Sequence, residues 1–252
     1  MGRVKPYYED DAVTLYLGDF RDYLPVVGRV DAIVTDPPYG ETSLEWDRWP
    51  KGWPAELAVV SDALWCFGSF RMFMDNLSDF EAWKFSHEIV WEKQNGTGFA
   101  TDKFRRVHEL ATLWYRGAWS DLRHQVPRVP APNGANKSTR RSSFQAPHAN
   151  GIGPNAYVDD GLRMMPTVLK VANEQSRAVH PTQKPVGIVM PVIEYSAPVG
   201  GIVLDPFAGS GTTLLAARMS GRRAVGVEAN EKYAEAAARR LAQQTFEWEE
   251  TA

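Results

Sequence analysis

Residues 200–213 read GGIVLDPFAGSGTT. Gly200–Asp205 is a short apolar run that closes on an acid, the pattern of a buried parallel strand. Gly209 and Gly211 then allow the backbone to turn tightly and approach a ligand closely. Gly211–Gly221 (GTTLLAARMSG) reads as a helix stopped by glycine. A strand, a glycine loop and a helix N-terminus in succession make a ligand cradle. The next run, Arg223–Glu228 (RAVGVE), is another strand ending in an acid, and Asn230 caps an alanine-rich helix that runs to Gln244.

The acids define the ligand. Glu228 stands 23 residues beyond Asp205, about the spacing at which dinucleotide folds place the acid that holds ribose hydroxyls. Asp205 opens the glycine loop itself, where it would repel a pyrophosphate and attract an ammonium. A ligand with a ribose, an ammonium and no phosphate is S-adenosylmethionine, which this acid pattern favours over a nicotinamide dinucleotide.

Working outward, Ala12–Asp19 (AVTLYLGD), Val30–Asp36 (VDAIVTD) and Asp62–Ser69 (DALWCFGS) read as further buried strands, and Arg71–Phe80 suits a helix. Phe85–Lys93 and His108–Gly117 are strands rich in β-branched and aromatic residues, and Pro185–Ala197 has helical spacing around an internal proline. Alternating strands and helices imply an α/β fold with a doubly wound, mostly parallel sheet, in which ligands sit at the carboxyl ends of the strands. Asp19 ends a strand placed to lie beside the one ending in Glu228, where it can accept from an adenine amino group. The cofactor site is then built from both ends of the chain, as in a circularly permuted Rossmann-like domain. From Ala118 to about Arg177 periodicity fades, and Pro, Asn, Gly, Ser and Arg dominate. This stretch reads as a small irregular insert outside the sheet.

The second chemical signal is VTDPPYG, Val34–Gly40. An exocyclic amine on a nucleobase is a poor nucleophile because its lone pair is delocalised. Two acceptors gripping its N–H bonds draw the nitrogen towards tetrahedral geometry. For such an amine the Asp36 carboxylate can grip one N–H and the Pro37 carbonyl the other, with the stiffness of Pro37 and Pro38 keeping that carbonyl aimed. Tyr39 can stack on a base taken out of the duplex, Gly40 lets the chain turn away, and Asp36 can take up the released proton. No metal is needed, and a single cysteine, Cys66, excludes a cysteine-rich zinc site and a disulfide framework.

TDPPYG together with DPFAGSGTT resembles the amino-methylating DNA methyltransferases. The catalytic motif precedes the cofactor loop, which resembles the β group, with its target-recognition region between the two. HPTQKP (His180–Pro185) resembles the segment that binds the methionine end of the cofactor. The resemblance implies a catalytic and cofactor-binding domain at 1–117 and 178–252, with a target-recognition insert at 118–177. It implies that Asp36, Pro37, Pro38 and Tyr39 line the base pocket, and that Asp19, Thr182, Lys184, Asp205, Phe207, Gly209 and Glu228 contact S-adenosylmethionine. Lys184 has the charge to pair with the methionine carboxylate. Asp at the first position of the catalytic motif goes, in the family, with adenine N6, and the alternative acceptor is cytosine N4. A catalytically silent DNA-binding module is a further alternative, and the intact DPPY argues against it.

The partner implied is double-stranded DNA, methylated by base flipping as in restriction-modification. The formal net charge is -3, so phosphate contact must come from a local patch. Between Arg116 and His148 six Lys or Arg face one acid, Asp121. Arg123, Arg128, Lys137, Arg140 and Arg141 are the expected DNA contacts. Trp46 and Trp49, just after the catalytic motif, either form a lid or wedge or simply pack their loop. A recognition region of this size is compatible with a homodimer. The sequence contains no apolar run of membrane-span length, and the expected location is the cytoplasm of a bacterium, or of a bacterium hosting a virus that encodes the protein.

Overall fold

The apolar runs that the sequence marks as strands lie side by side in one sheet. A computed structural model describes residues 4–44, 46–97, 102, 104–131, 160–172 and 183–249. The chain forms two compact units, one from Met1–Gln125 and Thr167–Ala252 and the other from Val126–Pro166.

The first unit contains, in chain order, β1 (Tyr8–Glu9), β2 (Val13–Leu17), α1 (Phe20–Val27), β3 (Ala32–Thr35), α2 (Trp53–Leu57), β4 (Ala63–Gly68), α3 (Phe70–Asp75), β5 (Lys84–Thr97) and β6 (Arg106–Tyr115). The second unit holds β7 (Arg128–Pro130) and β8 (Leu162–Met164), which pair antiparallel. The first unit resumes with β9 (Val168–Lys170), α4 (Val186–Ser196), β10 (Ile202–Asp205), α5 (Thr212–Met219), β11 (Arg223–Glu228) and α6 (Glu231–Glu249).

Among the described residues nine strands make the sheet, in the order β1, β2, β11, β10, β3, β4, β6, β5, β9. The central run from β2 to β4 is parallel, and β6 enters antiparallel to both β4 and β5. The permutation expected from Asp19 is present: β2 pairs with β11, with Leu17 opposite Glu228. From β10 the chain moves to β11 on one side, and from β3 it moves to β4 on the other. The switch point of this doubly wound sheet therefore lies between β10 and β3, where a crevice opens at the strand ends.

Side-chain alternation along the strands sets the two layers. Leu64 and Cys66 of β4 point into a cluster with Phe20 of α1, Trp53 and Leu57 of α2, and Met72 and Phe73 of α3. Trp65, between them, points the other way, and its indole donates to Ser196 Oγ of α4 at 2.8 Å. Gly226 of β11 is required by the second layer: a Cβ there would lie 2.7 Å from Leu214 Cδ1 of α5 and 3.1 Å from Ala208 Cβ. The glycine lets α5 sit close on the sheet, which fixes the height of the loop leading into that helix.

Two features depart from the sequence reading. Asp19 caps a helix, α1, with its carboxylate accepting from Arg21 N at 3.0 Å, and Pro25 is accommodated inside that helix. Val168–Lys170 was expected outside the sheet but joins it in parallel beside β5. Leu169 is buried there, and the Trp91 indole donates to the Val171 carbonyl at 2.9 Å. A three-residue strand is too short to show periodicity.

Gly226→Val should destabilise the protein by about 1–3 kcal/mol through overpacking against Leu214, read as a lower urea midpoint at an unchanged slope.

Candidate active site

A cavity of about 850 Å³ opens at the carboxyl ends of the central strands. Asp19, Asp36, Pro37, Pro38, Tyr39, Lys184, Asp205, Phe207, Gly209 and Glu228 all line it. Residues scattered from one end of the chain to the other thus meet at the switch point. Thr182 lies outside the described residues, as do Lys137, Arg140 and Arg141. Arg123 is exposed and donates to Gln125 at 2.6 Å. Arg128 makes a two-pronged bond to Asp160 at 2.6 and 2.9 Å, so its charge is answered within the second unit.

At one end of the cavity, β11 and β10 present Glu228 and Asp205. The Glu228 carboxylate accepts from Gly209 N at 2.7 Å and from Asn230 N at 2.8 Å, which pins it between the glycine loop and the start of α6. Gly209 and Gly211 have φ of 51° and 74°, left-handed values that favour glycine. A Cβ on Gly211 would lie 3.1 Å from Ala237 Cβ of α6. Asp205 is buried and accepts from Thr35 Oγ1 at 2.7 Å and Phe207 N at 3.1 Å. Burial pushes its carboxyl up to about 6, with hydrogen bonds from Thr213, Thr35 and Phe207 offsetting part of the shift and the nearby Asp36 adding to it. Phe207 stands edge-on to Phe20 and Trp53, at 5.5 and 5.4 Å. Asp19 is half-exposed on the cavity wall, paired with Arg21 at 3.2 Å.

At the other end, Asp36 follows β3 directly. Tyr39 Oη donates to its Oδ1 at 2.5 Å, and Lys184 Nζ to its Oδ2 at 2.6 Å. Burial, followed by the Asp36 charge, raises the Tyr39 phenol well above its ordinary range, so it stays a donor. Gly40 turns the chain with φ of 73°. The sequence assigns Lys184 to the cofactor's carboxylate, whereas the carboxylates it meets here are Asp36 and Glu109, the latter at 3.2 Å. Burial pulls this ammonium's pKa down, but the two carboxylates outweigh it and hold the pKa above its usual value.

Sequence reasoning missed three charged side chains that line the cavity. Asp47 is buried and accepts from the backbone N–H groups of Tyr39, Gly40 and Thr42 at 2.7, 2.8 and 2.7 Å. Burial raises its carboxyl, but these bonds win and leave it below the ordinary range. Its only sequence signal is indirect: a tight turn at Gly40 leaves backbone donors that must find an acceptor. Glu109 of β6 and Lys93 of β5 form an ion pair on the same wall as Lys184, and neither belongs to a recognisable local pattern. The tryptophans after the catalytic motif divide. Trp49 packs with Trp53 and Phe80 and donates to Asp79 at 2.6 Å. Trp46 lines the cavity, edge-on to Tyr233 at 6.1 Å. Among the described residues no group of three or more His, Cys, Asp or Glu is placed to hold a metal ion, and no helix is long and apolar enough to cross a membrane.

Comparison with known proteins agrees with this geometry. The type II methyltransferase M.ScaI of Streptomyces caespitosus is 30% identical over 261 aligned residues, covering 94% of this chain and 84% of that protein. The crystal structure of the M1.HpyAVI–SAM complex is 25% identical, with a TM-score of 0.59 over 91% of this chain and all (100%) of that one. PvuII DNA methyltransferase, described as cytosine-N4-specific, shares the fold at 15% identity, with a TM-score of 0.63 over 95% of this chain and 89% of that one. The family model described as DNA methylase matches residues 30–239. With a strand-end acid beside a stiffened Pro-Pro turn, and a glycine cradle walled by carboxylates, the chain belongs to the DNA methylase family.

Proposed function

We propose that this protein is a DNA adenine-N6 methyltransferase: within the N6/N4 amino-methylating family, it transfers a methyl group from S-adenosylmethionine to the amine of an adenine flipped out of a duplex site. The observation that carries this reading is the placement of Asp36, at the switch point of the sheet, in one cavity with the Asp205–Glu228 cradle.

The residues present fit the cofactor. Buried Asp205 offers a carboxylate to an ammonium, Glu228 and Asp19 offer acceptors for a ribose and an adenine, and the left-handed glycines admit close backbone approach. When bound, S-adenosylmethionine supplies an electrophilic methyl group on a sulfonium. The chain's own residues prepare the amine. Asp36 accepts one N–H and the Pro37 carbonyl accepts the other, which frees the nitrogen lone pair. The Tyr39 ring is the stacking surface for the flipped base, and its hydroxyl orients Asp36. Asp47 holds the backbone of this loop, so the acceptors are in place before substrate arrives. Asp36 or solvent then takes the proton. The exposed Arg123, together with Lys137, Arg140 and Arg141 of the basic stretch, supplies the phosphate contacts; Arg128 contributes only by exchanging Asp160 for a phosphate.

Tritiated S-adenosylmethionine incubated with unmethylated genomic DNA, followed by digestion to nucleosides, tests the assignment. Label should appear in N6-methyladenine and vanish with Asp36→Ala. Label in N4-methylcytosine would keep the mechanism and overturn the base.

Asp47→Ala leaves three backbone donors without their acceptor. It should lower kcat by at least about tenfold through misplacement of the loop and stability by about 2 kcal/mol, read in single-turnover assays and urea melts.

Asp205 gives a pH dependence. Its carboxyl holds a proton more tightly in the folded state, up to about 6 against an ordinary 3.8. The stability linked to that proton is therefore present below the unfolded value and lost as pH rises through about 6. Asp205→Asn should be more stable than wild type at pH 7.5 by about 3 kcal/mol, with the difference vanishing towards pH 4. Cofactor affinity of the wild type should weaken as pH falls below about 6, while the Asn variant should bind weakly throughout, as titration calorimetry would show.

A further inference from the structure

Behind the catalytic loop lies a line of alternating charge that methyl transfer, as described so far, does not use. It runs from Asp36 through Lys184 to Glu109 and Lys93. Lys184 Nζ is 2.6 Å from Asp36 Oδ2, 3.2 Å from Glu109 Oε2 and 3.2 Å from Tyr39 Oη. Glu109 bonds Lys93 through its other oxygen. The two central side chains are deeply buried, Lys184 being 7% exposed and Glu109 11%. The Lys184 ammonium also stands 5.5 and 5.7 Å from the ring centres of Tyr39 and Phe67. Ions taken this far from water are costly unless they answer one another, and an apolar wall would be cheaper. Their retention calls for a chemical reason.

The reaction supplies one. As the amine lone pair bonds to the methyl carbon, the carbon–sulfur pair stays on sulfur. Positive charge then sits on the nitrogen until one N–H proton leaves for Asp36 or solvent. Lys184, bonded directly to Asp36, opposes that charge. Without a second carboxylate it would also lose a reason to stay charged in a buried place. Resting on the reading of Asp36 as acceptor of the amine, we propose that Glu109 is a positioning residue for methyl transfer: it anchors the Lys184 ammonium beside Asp36, so that the Asp36 carboxylate stays aimed at the amine.

The groups facing this line come from six places in the fold. Besides Asp36 and Tyr39 after β3, Glu109 on β6, Lys93 on β5 and Lys184 before α4, Cys66 of β4 and Asp205 of β10 act on it. Burial pushes the Cys66 thiol well up, so it stays neutral. Burial also acts to raise the Glu109 carboxyl, but Lys184 and Lys93 overcome it and take the group down to about 2, so Glu109 is ionised throughout the working range. Removing Glu109 removes one of the two charges that raise the Lys184 pKa, and the ammonium is then lost at lower pH.

The test uses the full chain with Glu109→Gln, Glu109→Asp and Lys93→Met. In Glu109→Gln, kcat for DNA methylation should fall by at least about tenfold, with KM for cofactor and DNA unchanged. The alkaline limb of the kcat profile should move to lower pH, and Glu109→Asp should restore part of the loss. A second readout does not depend on turnover: acetylation of Lys184 by acetic anhydride across pH, followed by peptide mass spectrometry, should begin at lower pH in Glu109→Gln than in wild type. Unchanged kcat and an unchanged acetylation onset would overturn the proposal. If Glu109→Gln does not fold, Lys93→Met decides: with Glu109 then paired to Lys184 alone, acetylation of Lys184 should begin at higher pH than in wild type, and an onset that is unmoved or lower would overturn the proposal. A wild-type protein that methylates no DNA would refute the reading of Asp36. The acetylation onset would still show whether Glu109 holds Lys184 charged.

Discussion

Among the carboxylates that line one cavity are those of Asp36, Asp205, Glu109 and Glu228, and holding so much like charge together is the constraint on which the site depends. Each is answered differently. Glu228 is held by backbone donors from the segments on either side of it. Glu109 is clamped between two ammonium groups. Asp36 has a phenol on one oxygen and an ammonium on the other. Asp205, like Glu228, has only neutral donors, and burial raises both carboxyls, that of Asp205 up to about 6. The cradle for a cationic ligand is the place where negative charge is least compensated by the protein itself.

The sheet makes this arrangement possible. Parallel strands deliver their last residues to one edge, so acids at the ends of β3, β10 and β11 converge without any long loop to place them. Thr35, the last residue of β3, bonds Asp205 at the end of β10, tying the two strands together across the switch point. Gly226 and Gly211 then let α5 and α6 pack closely enough to fix the glycine loop. The chemistry rests on rigid elements more than on loops, with one exception: the turn after Asp36, which Asp47 holds from below.

The fold and both motifs could be read from the sequence because they rest on local patterns. A strand closing on an acid, a glycine pair before a helix and a Pro-Pro-aromatic turn each declare themselves within ten residues. The supporting charges do not. Lys93 and Glu109 stand on neighbouring antiparallel strands, and only the sheet register brings them to Lys184, 75 residues further along than Glu109. Lys184 itself has an evident candidate partner in the cofactor, and the carboxylates it meets in the fold, those of Asp36 and Glu109, are brought to it by tertiary structure. Arg128 shows the same limit from another direction, since a basic residue in a basic stretch turns out to be paired with Asp160 beside a short antiparallel strand pair. Local pattern identifies which groups do chemistry, and non-local packing decides their charge state.

The permuted connectivity carries a consequence for biosynthesis. The strand ending beside Asp19 pairs with β11, roughly two hundred residues away along the chain. A ribosome releases the base-pocket motif early, while the glycine cradle and the strand that closes it emerge near the end. During translation the Asp36 side of the sheet exposes an open edge at β3 until β10 arrives to cover it. The nascent chain thus carries the Asp36 motif well before the strands of the glycine cradle are present, and binding of the cofactor becomes a report that synthesis of the sheet is complete.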